Sequence, residues 1–179
     1  SGPYSTSFQP AGTFATLAVT TADSMHYVFD LQTSMNFGTL FGNPNSAIYR
    51  VVFNTDSVDP IAGSVKLASG NTWGVDSVMY FPNDVELGGL TFDFTEGWTN
   101  PTNRFNSGER VVWESTFSSP TSFSAPPFAL KVVGIGSSDI DQAWYIPTAV
   151  TAVPEPQTYG MLLAGLGIYQ CEALLRPAR

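Results

Sequence analysis

The stretch Leu90-Thr91-Phe92-Asp93-Phe94 alternates apolar and polar side chains without interruption. A period of two places the leucine and both phenylalanines on one face of a β-strand, and the threonine and the aspartate on the other. Such a strand has one face in the core and one face in water, which is typical of antiparallel sheets. The stretch therefore predicts a half-buried β-strand.

Similar short runs of β-branched and aromatic residues occur on both sides of this stretch. They cover residues 14–19, 27–31, 48–53, 78–81, 111–113, 128–135 and 143–146. Clusters of turn-forming residues separate them, for example Gly42-Asn43-Pro44-Asn45 and Pro82-Asn83-Asp84. The sequence before residue 155 has no sustained helical period of apolar residues. We therefore predict one all-β domain over residues 13–152, an antiparallel β-sandwich or jelly roll.

The composition favours the same class. Of the 179 residues, 12% are charged and 13% are aromatic, whereas an ordinary soluble domain has ~25% charged residues. So few charges, together with 16 Gly and 13 Pro, exclude a disordered acidic tail and a helical bundle. Residues 1–12 contain two Gly and two Pro without an apolar period, and they predict an N-terminal arm.

Charge and ligand counts exclude several function classes. The formal net charge is −8 with only seven Lys and Arg, so we expect no nucleic-acid partner, because nucleic-acid binding relies on basic residues that neutralise phosphates. The only cysteine is Cys171 and the only histidine is His26, whereas a zinc or copper site needs more nitrogen and sulfur ligands. We predict no catalytic residue, and we expect His26 to lie at a strand edge or to be partly buried.

The composition changes after residue 152. Val153-Pro154-Glu155-Pro156 predicts an extended linker, because each proline removes an N–H and fixes φ. An uncharged run over residues 157–170 follows, shorter than the ~20 residues that cross a bilayer. The predicted short hydrophobic helix, a membrane segment, consists of Tyr159, Gly160, Met161, Leu162, Leu163, Ala164, Gly165, Leu166, Gly167 and Ile168.

Residues 153–179 resemble the PEP-CTERM sorting tag of exported bacterial proteins. The resemblance lies in Val153, Pro154, Glu155 and Pro156 and in the stretch over residues 158–167, whereas Glu172 departs from the apolar and Arg-rich end of the family. It implies a signal peptide removed from the N-terminus, a precursor retained in the inner membrane, and processing near Glu155 by an exosortase. It also implies a mature protein at the cell surface or in an exopolysaccharide or biofilm matrix.

Three tryptophans suggest an alternative function. Trp73, Trp98 and Trp144 lie in or beside turn-rich stretches, and exposed rings can stack on the apolar faces of sugars. Core positions at strand ends also suit tryptophan, so both interpretations stay open. The alternative is a lectin-like carbohydrate-binding β-sandwich.

Calcium could assist such binding, because Ca²⁺ needs only oxygen ligands. The candidate ligands are Asn54, Asp56 and Asp59 directly after one predicted strand, and Asp139 and Asp141 before another. Asx turns use the same residue types, so a structural role is the competing interpretation. We expect no other cofactor.

Neighbouring carboxylates leave an enzyme as the third class, because a glycosidase can act with two carboxyl groups alone. The neighbouring pairs are Asp93 with Glu96, Glu109 with Glu114, and Asp139 with Asp141. Solvated strand faces explain these positions equally well.

Only five basic residues precede residue 153, so few lysines are available to guard exposed strand edges. Strand exchange between copies, through residues 1–12 or 149–154, would give a homopolymer. The sequence thus predicts an exported structural protein of the cell surface or matrix, with an exosortase and exopolysaccharide as partners.

Overall fold

The computed structural model describes residues 8–56, 58–72, 77–98 and 104–147. These residues form strands and one single-turn helix in the following order: β1 (Ala15–Asp23), β2 (His26–Thr33), α1 (Phe37–Leu40), β3 (Ala47–Thr55), β4 (Lys66–Leu67), β5 (Val78–Phe81), β6 (Val85–Leu87), β7 (Leu90–Phe92), β8 (Phe94–Trp98), β9 (Arg110–Thr116), β10 (Phe123–Ile135) and β11 (Ser138–Tyr145).

The first sheet has four antiparallel strands in the order β1-β2-β9-β4. Its strand β2 alternates as its sequence requires, because Tyr27, Phe29 and Leu31 are buried while the residues between them are more exposed. Strand β1 forms one edge of this sheet.

The second sheet has five antiparallel strands in the order β11-β10-β3-β8-β5. Its central strand β3 carries a β-bulge, because Arg50 pairs with Lys131 and Ile48 pairs with Val132, which leaves Tyr49 between them without a cross-strand partner. Ile48 and Val51 both point into the core, so the bulge turns two consecutive residues toward the opposite face.

The core lies between these two sheets. The ring of Phe29 stacks on Trp113 at 5.2 Å within the first sheet and meets Phe53 of the second sheet at 4.9 Å, measured between centroids. All three rings have no exposed surface. The prediction of an all-β sandwich is therefore confirmed.

A two-stranded hairpin of β6 and β7 covers part of the other face of the second sheet, which we call the outer face. Leu87 and Phe92 of the hairpin form a second apolar cluster with Val52 and Ala129 of the sheet. Trp144 of β11 is partly buried against the same cluster.

The prediction of one continuous strand over residues 90–94 is wrong, because the chain leaves strand geometry at Asp93. The backbone N–H of Asp93 donates to the Phe53 carbonyl at 2.8 Å, and its carboxylate accepts the backbone N–H of Thr55 at 2.6 Å. These bonds anchor Asp93 to the end of β3, so β7 belongs to the hairpin and β8 belongs to the five-stranded sheet.

The last part of the predicted N-terminal arm contacts the domain. The Phe8 ring stacks on Phe41 at 6.0 Å, and the Phe8 carbonyl accepts the Tyr145 hydroxyl at 3.1 Å. Residues 1–7 and the predicted tail over residues 153–179 lie outside the described residues.

Candidate functional site

Several predicted site residues lie outside the described part of the chain. They are Trp73, the sorting residues Val153, Pro154, Glu155 and Pro156, and the membrane segment over residues 159–168. Their roles stay predictions. Within the described ranges, none of the helices is long and apolar enough to span a bilayer.

Trp98 is not available for sugar stacking, which corrects the prediction for this residue. Its side chain is 6% exposed, and its indole N–H donates to the Ile48 carbonyl at 3.1 Å. The ring also packs edge-on against Phe105 and Trp113. Trp98 thus belongs to the core between the sheets.

The structure does not bring the described calcium candidates together, and the side chain of Asp139 lies outside the described part of the chain. Asn54 and Asp56 lie at the β10 end marked by Phe123, whereas β11 pairs with the opposite end of β10 near Ile135. The Asp56 carboxylate accepts the Ser122 hydroxyl, and the Asp59 carboxylate accepts the Tyr80 hydroxyl. No cluster of three metal-ligating side chains occurs among the residues that the structure describes.

The predicted carboxylate pairs and His26 have local structural contacts. Glu114 forms an ion pair with Lys66 at 2.9 Å, and Glu109 accepts the backbone N–H of Asn106. His26 Nδ1 lies 2.7 Å from the carboxylate of Asp23, which also accepts the Met25 N–H in the turn between β1 and β2. These contacts stabilise turns and strand pairs.

Glu96 differs from the other acids because it has no exposed surface. The Trp113 indole N–H donates to Oε2, and the Ser115 hydroxyl donates to Oε1 at 2.8 Å. Burial raises the pKa of Glu96 to about 7, although both hydrogen bonds act in the opposite direction. Full burial between the sheets keeps this carboxyl group away from a substrate, so its role is structural.

On the face of the second sheet that packs on the core, Tyr80 of β5 lies opposite Glu96 of β8 in the antiparallel pairing. Burial raises the pKa of Tyr80, and the Asp59 carboxylate that accepts its hydroxyl raises it further. Asp59, a calcium candidate, is thus already bound to a side chain of the fold.

The outer face carries a surface that the sequence did not predict as a site. Cross-strand pairing aligns Trp144 with Lys131, Lys131 with Arg50, and Arg50 with Gly97. The bulge in β3 adds Tyr49, which is 41% exposed, and β5 adds Phe81. We call Tyr49, Arg50, Phe81, Lys131 and Trp144 the outer-face patch.

Cations and rings alternate across the outer-face patch. The Arg50 guanidinium carbon lies 5.2 Å from the Tyr49 ring centroid and 5.0 Å from that of Phe81. The Lys131 ammonium lies 5.9 Å from the Tyr49 centroid and 5.7 Å from that of Trp144. These distances are within the range of cation–π attraction.

Gly97 makes room for this arrangement. A Cβ atom at Gly97 would lie 3.3 Å from the Arg50 Cγ and 3.9 Å from the Phe81 ring. Because glycine has no side chain, the Arg50 stem can cross β8 and reach Phe81 on β5.

Within the described part of the chain, the ion pairs formed by carboxylates involve other cations than the two of the outer-face patch. Of the basic residues before residue 153, Lys66 and Arg110 pair with Glu114 and Asp30, and Arg104 donates to a backbone carbonyl. Among the described residues, no carboxylate forms an ion pair with Arg50 or Lys131. Burial and the neighbouring Arg50 charge lower the pKa of Lys131.

Of the outer-face patch, the sequence indicated Trp144 as a candidate binding residue but not the other four residues. A signal was present, because Tyr49-Arg50 interrupts the apolar run between Ile48 and Val51 by two residues, where alternation allows one. Two consecutive outward side chains indicate a bulge, and bulges often lie beside functional sites.

Fold and surface together define an all-β sandwich with a partly exposed cation–aromatic patch on one sheet. Comparison with protein-family models, with curated proteins and with solved structures finds no match for the chain.

Proposed function

We propose that the protein is an exported structural protein of the cell surface or the extracellular matrix, delivered as a precursor by its C-terminal tail. The observation that carries the proposal is the Val153-Pro154-Glu155-Pro156 lead followed by an uncharged run, which resembles a sorting tag. The β-sandwich is then the cargo. The tail has two acidic and two basic residues, so the whole net charge of −8 lies on residues 1–152.

Self-assembly is part of this proposal, and the edge strand β1 supports it. Ala15–Asp23 forms one edge of the four-stranded sheet and contains no Lys, Arg or Pro. Such a strand lacks the residues that usually prevent edge-to-edge pairing. An extended segment of another copy, from residues 1–12 or 149–154, could add to this edge.

The test replaces Pro154, Glu155 and Pro156 by alanine in a bacterium that processes such tails. We expect the variant to stay unprocessed in the membrane fraction, while the parent protein matures to a shorter form in the matrix, as measured by mass spectrometry of both fractions. Replacing Thr102 in the cargo by alanine is the control. Unchanged maturation of the triple variant would contradict sorting through this tail, and monomers in electron micrographs of the mature parent would contradict self-assembly.

Carbohydrate binding is the second candidate function. The observation that favours it is the outer-face patch, where the Tyr49 ring is 41% exposed beside Arg50 and Lys131. Sugar stacking is thus best supported at the exposed Tyr49, and it is better supported at the partly buried Trp144 than at the buried Trp98.

A further inference from the structure

We propose that the outer-face patch binds an acidic polysaccharide, in which sugar rings stack on Tyr49 and Trp144 and sugar carboxylates pair with Arg50 and Lys131. The inference rests on the proposed matrix function, and it names the chemistry of the partner and the residues that hold it.

The charge arrangement calls for an anion. Arg50 and Lys131 lie directly opposite each other on neighbouring strands, and like charges in this position repel. In the described residues no carboxylate pairs with either of them, although residues 1–152 contain 13 acidic residues. A carboxylate bound between the two cations would relieve the repulsion, and the planar guanidinium of Arg50 can bind it with two N–H groups.

The two aromatic rings of the patch, Tyr49 and Trp144, indicate that the anionic ligand also contains sugar rings. Tyr49 and Trp144 combine an apolar face with a polar edge, which suits a sugar ring better than a purely apolar partner. Neighbouring strands lie ~4.8 Å apart, so the five strands from β11 to β5 give the patch a length of about 19 Å. Several sugar units fit along this length, which indicates a polymer chain rather than a single sugar.

The sparse charge favours a polysaccharide over nucleic acid. Nucleic-acid interfaces are strongly basic because they neutralise a phosphate at every nucleotide, and this patch offers two cations on a protein of net charge −8. An acidic polysaccharide can carry one carboxylate for every two sugars and thus needs fewer cations. A neutral polysaccharide would leave Arg50 and Lys131 without counter-charges.

The binding test uses the full chain and uronate-containing oligosaccharides from hyaluronan, alginate and xanthan, measured by isothermal titration calorimetry. Carboxyl-reduced versions of the same oligosaccharides are the neutral controls, and a single-stranded thymidine oligonucleotide is the nucleic-acid control. We expect at least one uronate ligand to bind, with its reduced version at least about tenfold weaker.

The double variant Arg50→Gln/Lys131→Gln should weaken that binding by at least about tenfold. Tyr49→Ala should weaken the binding of both the acidic ligand and its reduced version. Lys66→Gln is the matched control, because Lys66 is a cation of the other sheet, and we expect it to leave the affinity unchanged. Circular-dichroism melting of each variant shows whether the fold is retained.

Three results would overturn the inference: no binding to any uronate ligand, equal binding to a ligand and its reduced version, or tighter binding to the oligonucleotide. Tail processing is measured separately in cells. If the tail is processed but the patch binds no uronate ligand, the inference alone fails, and if the patch binds but the tail is not processed, the sorting proposal alone fails.

Discussion

Glu96 places a carboxyl group between the two sheets, where ionisation costs free energy of folding. With no exposed surface, the group loses its hydration and keeps two hydrogen bonds, from Trp113 and Ser115. Protonation is therefore easier in the folded protein, and its pKa rises to about 7. The core consequently contains a neutral acid at mildly acidic pH.

We predict that Glu96→Gln removes part of the pH dependence of stability. Between the ordinary carboxyl pKa near 4.5 and the folded value of about 7, the folded state binds more protons than the unfolded state, so stability falls as pH rises through this window. Glutamine stays neutral and can bond both Trp113 and Ser115. The variant should match the parent near pH 4, below the ordinary carboxyl pKa, and be more stable at pH 8 by up to about 3 kcal/mol.

Urea unfolding at a series of pH values measures this difference. Glu86→Gln is the control, because Glu86 lies exposed in β6 and should follow the parent at every pH. A stability difference between Glu96→Gln and the parent that stays constant from pH 5 to pH 8 would contradict the assignment. Burial also raises the pKa of Glu109, but this residue is present in both proteins, so its contribution to the pH dependence cancels in the comparison.

At the scale of elements, the end of β10 depends on two glycines with positive φ. Gly134 (φ 73°) lies where the pairing of β10 with β11 shifts register, and Gly136 (φ 64°) lies in the following turn. A Cβ atom at Gly134 would lie 3.0 Å from the Asn45 carbonyl oxygen, whereas one at Gly136 would meet no atom within 4 Å. The two positions thus share backbone strain and differ in steric contact.

We predict that Gly134→Ala destabilises the protein more than Gly136→Ala does. Both substitutions place alanine in the left-handed region at a cost of roughly 1–2 kcal/mol. The new Cβ of Gly134→Ala also pushes on the Asn45 backbone, which costs at least about 1 kcal/mol more. Urea midpoints of the two variants measure the difference directly. Equal losses would show that the backbone near Asn45 yields without cost.

Strand positions followed from the sequence where alternation was long enough to be read. The predicted strand over residues 78–81 coincides with β5, and the other predicted runs, apart from that over residues 90–94, lie within or overlap longer strands. Strand β4, Lys66–Leu67, is too short to show a period. Strand β10 begins at Phe123, five residues before the predicted start at residue 128. The strand tolerates Pro126 and Pro127 because its pairing with β3 is irregular between Phe123 and Phe128, so the missing N–H groups interrupt no regular hydrogen-bonded pair.

The alternation of side chains over residues 90–94 does not predict which face the following residues occupy. Phe92 belongs to the outer-face cluster, whereas Glu96 and Trp98 point into the core, although strict alternation would place all three on one face. The hydrogen bonds of Asp93 separate β7 from β8, and that interruption depends on the distant strand β3. This is why the sequence left open whether Trp98 lies in the core or beside a turn.

At the scale of the whole molecule, the outer-face patch is a product of topology. Its residues come from β3, β5, β10 and β11, and the order β11-β10-β3-β8-β5 makes them neighbours. No local pattern contains this order, because strands far apart in the chain pair directly. The sequence could therefore indicate single rings such as Trp144, but not the cations beside them.

The same topology predicts that the domain folds without its tail. Every strand that the structure describes lies between Ala15 and Tyr145, so a chain ending at Ala152 keeps all their pairings. We expect its melting temperature to lie within about 2 °C of that of the full chain, as for changes outside a packed core. Differential scanning calorimetry of both chains measures this.

A chain ending at Gly136 is the matched control, because it lacks β11. That strand supplies Ala143 and Tyr145 to the core and pairs along β10, so its removal exposes one edge of the five-stranded sheet and a row of apolar side chains. We expect no cooperative transition from this shorter chain. If the chain ending at Ala152 also lost its transition, residues 153–179 would be part of the folded unit, and the separation of cargo from sorting tail would fail with it.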